Sequence, residues 1–433
     1  MRSQDDLAVT NLGERRQPSP LPLSTVPGDG VGDFVPDDMR VLYDIRFPAG
    51  RRIADLAFEL AGPRQHLFFN PPQTRAAVVT CGGLCPGINN VIRTLFFELT
   101  ENYGVREVLG VRFGFEGLNS QQGEPPVRLT KEMVAGIHLM GGTIIGTSRG
   151  PQDVKTAVSF LDDRDIDILF CVGGDGTQRG AHEIAAEVAR RRLPIAVVGI
   201  PKTIDNDIRY CRRSFGFATA VAEAETVVHR AHTEAIGVRN GVGLVKLMGR
   251  EAGFIAAAAT IASGDVNFTL VPELLFELDG PKGLLAKLER RLAARQHAVI
   301  VVAEGAGQDL IPDLKEEYDA SGNRKLGDIG ALLKRRITEH FTNRNVPIHV
   351  RYFDPSYHIR SCPASTVDSL LCEQLARNAA HAAMAGKTDL LIGLMHMEFV
   401  HVPLAISVGQ RKRLSPESEW WTTVTAITGQ NKW

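Results

Sequence analysis

From about residue 75 the chain carries short runs of consecutive apolar residues rather than alternating ones: Arg75–Thr80, Glu107–Val111, Ile166–Val172 and Ile195–Ile200. Runs of this length without a polar face predict strands covered on both sides, as in a parallel sheet. Between them lie helical stretches, Val91–Leu99 and Arg179–Arg190 among them. Strand, helix, strand in that order predicts a parallel α/β sheet with right-handed crossovers. A second series follows at Gly241–Leu247, Phe268–Val271, Ala298–Val302 and Ile348–Tyr352, with helices expected near Glu251–Ala262 and Gly283–Arg295. The pattern therefore predicts two α/β lobes. One late strand, Leu390–Leu394, fits either of them, and no fixed-period repeat is present.

Ahead of this pattern the chain is different. Residues 1 to 35 hold Pro18, Pro20, Pro22 and Pro27 among Gly and Asp, and predict a poorly ordered arm. Residues 36 to 72 are more mixed and are expected to pack on the surface as an extension. The 433 residues are 44% hydrophobic, enough for a large core, and 23% charged with a net charge of -1. That balance excludes a nucleic acid or an anionic membrane as partner, and local basic clusters become sites for small anions. No apolar run approaches the roughly eighteen residues of a membrane span, and residues 1 to 34 lack an h-region, so a cytoplasmic enzyme is expected. Six cysteines are scattered at neither zinc nor disulfide spacings, and the histidines show no metal-ligand pattern.

Two loops carry the chemistry. Gly173-Gly174-Asp175-Gly176-Thr177-Gln178 follows one apolar run and Pro201-Lys202-Thr203-Ile204-Asp205-Asn206-Asp207 follows another, so both lie at carboxyl ends of strands, where open parallel sheets bind ligands. The first offers bare backbone amides that can wrap phosphates, with Asp175 suited to hold magnesium. The second offers two carboxylates and a hydroxyl. A third glycine-rich turn, Cys81–Asn90, runs from a strand into a helix as in a mononucleotide-binding half-unit. Together they predict a phosphoryl-transfer site. Each residue also has a plain structural reading. The glycines could serve tight turns, Asp205 and Asp207 could cap helices, Arg250 and Arg360 could make surface ion pairs, and Glu273 could be structural. Arg190–Arg192 and Lys334–Arg336 are expected on solvated helix faces.

Gly82-Gly83 with Pro86-Gly87, Gly142-Thr143 with Thr147-Ser148-Arg149, the Asp175 and Asp205 loops and Met248-Gly249-Arg250 resemble, in order and spacing, the 6-phosphofructokinase family. A Gly-Gly-Asp-Gly-Thr run alone also looks like the NAD kinase and lipid kinase signature, but that wider group lacks the Thr203–Asp207 run and Met248-Gly249-Arg250. The resemblance implies two similar parallel-sheet, Rossmann-like lobes with an active-site cleft between them, plus an N-terminal extension at 1–75. A donor-binding lobe would comprise 76–216 with about 360–408, and a fructose 6-phosphate lobe 217–359 with about 409–433.

It further implies that Asp205 is the base for the sugar C1 hydroxyl with Asp207 beside it, that Asp175 holds Mg2+, and that Arg149 neutralises the transferred phosphoryl, which Thr203 contacts. Gly83, Gly174, Gly176, Thr177, Gln178 and Lys202 would line ATP. Met248, Gly249, Arg250 and Glu273 would hold the sugar, and Arg351, Tyr357 and Arg360 its 6-phosphate. Many relatives place histidine where Tyr357 stands. Gly241 stands where the short bacterial relatives have an arginine that reaches a neighbouring subunit, so Arg239 or Arg351 would have to complete that site. A homotetramer is implied, with a dimer as the alternative. Gly176 with Lys202, the Ala61–Gln65 approach and the long extension are most similar to the ATP-dependent enzymes of plants and trypanosomatids. Lys202 alone resembles pyrophosphate users, which carry aspartate in place of Gly176. A non-catalytic sugar-phosphate-binding subunit would lack Asp175, Asp205 or Arg149, and all three are present.

Overall fold

The computed structural model of the chain describes residues 7–46, 49, 56–150, 153–312, 316–318 and 324–432. In chain order the strands of its two main sheets are β1 (Arg40–Leu42), β2 (Ala57–Leu60), β3 (Arg75–Thr80), β4 (Glu107–Gly110), β5 (Val127–Arg128), β6 (Ile168–Gly173) and β7 (Ala196–Pro201). They continue with β8 (Gly241–Leu247), β9 (Phe268–Leu270), β10 (His297–Ala303), β11 (His349–Phe353), β12 (Leu390–Met395) and β13 (Glu398–Pro403). The chain divides into two compact units. The first holds Met1–Thr203, Ile208–Gly216 and Cys362–Arg411, the second Ile204–Asp207, Phe217–Ser361 and Lys412–Trp433.

The sheet of the first unit has the order β1-β2-β13-β12-β7-β6-β3-β4-β5. Its centre, β12, β7, β6, β3 and β4, is parallel. Both edges are antiparallel, β13, β2 and β1 on one side and β5 on the other; the strands the apolar runs predicted, β3, β4, β6 and β7, are parallel. A two-residue link suffices between antiparallel strands, so β12 and β13 form a hairpin that no helical spacing announces. Residues of β3 and β6 are buried on both faces. Ala77, Val79, Leu169 and Cys171 pack with Ala181, Ile184, Ala185 and Val188 of helix Asp175–Arg191. The alternate residues Ala76, Val78 and Phe170, which point the other way, are equally buried. That is why these strands read as unbroken apolar runs. Arg190 and Arg191 at the end of the same helix both pair with Glu187, at 2.6 and 2.7 Å.

The second unit holds a fully parallel sheet of order β9-β10-β8-β11. Its core joins Val242, Leu244, Ile300 and Val302 to the apolar faces of helices Leu284–Arg295 and Ile329–Thr342.

The amino-terminal segment, expected as a poorly ordered arm, pairs with the first unit. Thr10–Asn11 lies antiparallel to Lys387–Thr388 and Gln17–Pro18 to His66–Leu67, while residues 1–6 lie outside the described residues. What fastens this extension is a buried ionic cluster. Arg64 donates to Glu59 Oε1 at 2.8 Å and to Asp37 Oδ1 at 2.9 Å. Lys387 Nζ reaches the same Glu59 oxygen at 2.6 Å, and His401 Nδ1 lies 3.0 Å from it. Burial opposes ionisation of Glu59, yet the hydrogen bonds from His401 and Lys387 and the charge of Lys387 outweigh it and hold the carboxyl well below its ordinary range. Glu59→Gln leaves Arg64 and Lys387 buried without that countercharge, and a broken buried pair costs about 3–5 kcal/mol. Denaturant unfolding of the variant should show a loss of that order.

Acid should act on the same cluster. Burial pushes His401 down from 6.5 to about 4 against the pull of Glu59, and burial pushes His381 down to about 3. Both are neutral when folded while the unfolded chain binds protons from about pH 6.5 downward, so stability rises with pH across that window and falls on acidification. Below about 4.5 the depressed Glu59 adds to the loss. Melting temperatures should therefore drop steadily from pH 6.5 to pH 4; a flat profile would contradict this reading of the cluster.

Candidate active site

In the first unit four loops are stitched together at the carboxyl end of the parallel strands. Cys81 N donates to Val172 O at 3.0 Å, Gly82 N to Ser148 O at 2.9 Å, and Thr147 Oγ1 to Gly82 O at 2.7 Å. Lys202 N donates to Gly173 O at 3.0 Å. The Lys202 side chain, 4% exposed, donates to Gly83 O. Gly82 has φ +86, and a Cβ there would stand 3.3 Å from Lys202 Nζ, so the turn needs glycine on both counts. Arg149 follows Ser148 directly and is exposed.

Helix Asp175–Arg191 starts immediately after β6, with Gly174 as its cap. The first N–H groups of a helix lack intrahelical acceptors and carry its positive end, which suits phosphate. Gly176 is exposed in this first turn, its φ is ordinary, and a Cβ added there would meet nothing within 4 Å. Asp175 is the first helical residue and accepts from Arg179 Nη2 at 3.0 Å. Among the described residues no three His, Cys, Asp or Glu are grouped to hold a metal ion. A lone, partly exposed carboxylate at a helix amino terminus does fit magnesium, which takes its remaining ligands from phosphates and water.

Thr177 and Gln178 are turned inward. Gln178 is 1% exposed, and its Nε2 donates to the carbonyls of Gly173 at 2.9 Å, Ile200 at 3.2 Å and Cys171 at 3.4 Å. The side chain clamps the ends of β6 and β7. Helical spacing explains it, because 178, 181, 185 and 188 share the face turned to the sheet.

In the second unit Asp205 and Asp207 are 8% and 6% exposed. Asn206 between them has φ +54, and Lys412 holds this turn through its N–H to Asp207 O at 2.8 Å and its Nζ to Asn206 Oδ1 at 3.1 Å. Arg250 Nε lies 3.9 Å from Asp205 Oδ2. Arg250 follows β8 in a sharp turn: Gly249 has φ +141, and a Cβ there would run into the Ala252 carbonyl. Arg250 itself has φ +49, and its N–H donates to Glu304 Oε1 at 3.0 Å. Met248 is half-buried beside them. Thr203, in the first unit, accepts at its carbonyl from Ser214 Oγ at 2.7 Å.

Glu273 is half-buried and tied to the backbone. Its carboxylate accepts from Gly253 N at 2.9 and 3.1 Å and from Leu414 N at 2.8 Å, fastening the start of helix Phe254–Ser263 to the carboxyl-terminal segment. Arg360 stacks over the ring of Tyr357 at 4.7 Å, and Tyr357 is 74% exposed. Arg351 and Arg239 are exposed, Arg351 with Glu234 at 3.7 Å. Sequence reasoning missed Glu304 and Lys412. Glu304 directly follows β10, so the rule that ligands gather at strand ends was the signal for it; Lys412 has no local signal.

The phosphofructokinase family profile matches residues 75–383. The chain belongs to this family. It is 45% identical to the ATP-dependent 6-phosphofructokinase of Borreliella burgdorferi, covering 98% of this chain and 97% of that one. Identity is 43% to the ATP-dependent 6-phosphofructokinase of Trypanosoma cruzi, over 98% and 88% of the two chains. It is 45% to ATP-dependent 6-phosphofructokinase 7 of Arabidopsis thaliana, over 86% and 77%. The pyrophosphate-dependent phosphofructokinase of Marinobacter aquaeolei superposes with a TM-score of 0.68 over 82% of this chain and 91% of that one, and at 18% identity it shows the family's fold alone. Among the described residues no helix is long and apolar enough to cross a membrane.

Proposed function

We propose that this phosphofructokinase transfers the γ-phosphoryl of ATP to the C1 hydroxyl of fructose 6-phosphate, giving fructose 1,6-bisphosphate and ADP. The observation that carries the choice of ATP is Gly176, which leaves open space in the first turn of a phosphate-facing helix. The backbone of that turn, with Gly83, Gly174 and Gly176, cradles the nucleotide phosphates. Asp175 would hold Mg2+, which when bound neutralises phosphate charge. Asp205 takes the proton of the C1 hydroxyl as its oxygen bonds to the γ-phosphorus and the bond to the departing ADP oxygen breaks, with Asp207 and the Lys412-held turn fixing the base in place. Arg149 offsets charge on the group in flight, and Thr203 contacts it. Arg250 sits beside the base and binds the sugar, with Arg360, Tyr357 and Arg351 on the 6-phosphate. Thr177 and Gln178 act by shaping the loop, and Glu273, tied to the Gly253 turn, accepts from a sugar hydroxyl.

Lys202 supports a pyrophosphate donor instead, but its ammonium is engaged by the Gly83 carbonyl, and nothing crowds Gly176. The resemblance further supports a cytoplasmic homotetramer under allosteric control, with a dimer as the fallback. Phosphorus NMR of a reaction with MgATP and fructose 6-phosphate should show the γ-signal replaced by a C1 phosphomonoester; hydrolysis to inorganic phosphate alone would overturn the proposal. Arg360→Ala should raise the fructose 6-phosphate KM by about tenfold or more and leave the ATP KM nearly unchanged, because a charge-assisted contact to phosphate is mostly ground-state binding. Steady-state kinetics with each substrate varied in turn checks this, and the reverse pattern would move Arg360 to the donor.

A further inference from the structure

Lys246 lies near the end of β8, two residues ahead of Met248-Gly249-Arg250, and no part of the chemistry above employs it. Its side chain is 13% exposed. The ammonium stands between two carboxylates, 2.9 Å from Asp354 Oδ2 and 3.3 Å from Asp328 Oδ1. Neighbouring β11 pairs with β8 in parallel up to Val245↔Phe353, so Lys246 and Asp354 are the next step of the same register, just past the ladder.

Asp354 opens the segment that leads to Tyr357 and Arg360. Its other oxygen accepts from Ser356 N at 3.2 Å and from the Ser356 hydroxyl. The turn then continues through His358 N and Ile359 N to Pro355 O, at 2.9 and 3.2 Å, into the short helix His358–Ser361 that carries Arg360. Asp328 fixes the other side. Its Oδ1 accepts from Tyr352 Oη at 2.9 Å and from Ala331 N at 3.1 Å, where it caps helix Ile329–Thr342. Burial alone would lower the pKa of Lys246, but the hydrogen bonds and charges of Asp354 and Tyr352 together outweigh it and keep the group above the ordinary lysine range. Asp354 and Asp328 shift the opposite way: burial would raise both, but for Asp354 hydrogen bonds from Ser356 and Lys246, and for Asp328 hydrogen bonds from the Ala331 amide and Tyr352, outweigh it.

Without the ammonium, two carboxylates would face one another across a part-buried gap and push Asp354 away from β8. The turn that aims Arg360 would lose the tie holding it to the strand that presents Arg250. We propose that Lys246 is a positioning residue for the acceptor site: through Asp354 it locks the 354–360 loop to the end of β8, and so sets Arg360 and Tyr357 in register with Met248-Gly249-Arg250 for a phosphorylated sugar. This rests on the assignment of those residues to fructose 6-phosphate.

Lys246→Met is expected to raise the fructose 6-phosphate KM about tenfold while kcat at saturation and the ATP KM stay within about twofold, the signature of lost ground-state binding. Lys246→Arg should restore most of the affinity, since a guanidinium can bridge two carboxylates. Asp354→Asn should reproduce the defect, and the double variant should be no worse than the poorer single, because both changes break one link. If Lys246→Met does not fold, Asp354→Asn carries the test from the more exposed end of the pair. A wild-type fructose 6-phosphate KM in Lys246→Met or Asp354→Asn, or effects that multiply in the double, would overturn the proposal while Arg360→Ala keeps its own defect. If Arg360→Ala also leaves that KM unchanged, the acceptor assignment falls and this proposal with it.

Discussion

Asp205→Asn is expected to lower kcat by about 10²-fold or more, with modest changes in either KM, since a positioned general base contributes on that scale. The substitution keeps the size of the side chain and removes only its basicity. The loop should keep its shape, because Lys412 holds it through the Asp207 carbonyl and the Asn206 side chain. Arg250, 3.9 Å from Asp205 Oδ2, stays available for the sugar phosphate. Initial rates with both substrates saturating decide the matter, and wild-type turnover would remove Asp205 from the role of base.

Gly176→Asp is expected to abolish most ATP-dependent activity without disturbing the fold. The position has a helical, ordinary φ and open space around it, and an acidic residue in the first turn of a helix is favourable. The loss must then come from the ligand. A carboxylate a few ångströms from a phosphate costs about 1–4 kcal/mol at the effective dielectric of a partly solvated site, which is roughly 5- to 10³-fold in kcat/KM for ATP. Lys202 cannot turn to cancel it, being 4% exposed and bonded to the Gly83 carbonyl. A shorter donor can sit away from the new charge, so activity with pyrophosphate should suffer less. Circular dichroism with kcat/KM for ATP checks both halves, and a folded variant with unchanged kcat/KM would show that Gly176 does not face the nucleotide.

Much of the site was legible because its signals are local. A strand that runs into Gly173-Gly174-Asp175 or Pro201–Asp207 announces a ligand-facing loop from neighbouring residues alone. Side-chain direction was less legible. Gln178 belongs to the glycine-rich run by position, but helical spacing turns it to the sheet, where it clamps β6 and β7. Glu273 lies at a strand end like a ligand group, yet two amides distant in sequence, Gly253 and Leu414, claim its carboxylate. Lys412 and the Lys246–Asp354 pair depend wholly on contacts across long stretches of chain. The antiparallel strands of the extension were hidden for another reason. Arg40–Leu42 and Ala57–Leu60 are short and partly polar, and they are bound in by the Arg64–Glu59–Lys387 cluster together with scattered apolar contacts such as buried Phe58.

The most direct test of the account is the donor comparison: purified protein, fructose 6-phosphate and Mg2+, with ATP and pyrophosphate supplied side by side at equal concentration and fructose 1,6-bisphosphate measured by a coupled assay. ATP should support turnover and pyrophosphate little or none. A protein that prefers pyrophosphate would show that Lys202 rather than Gly176 sets the donor, and one that phosphorylates fructose 6-phosphate with neither would contradict the proposed function itself.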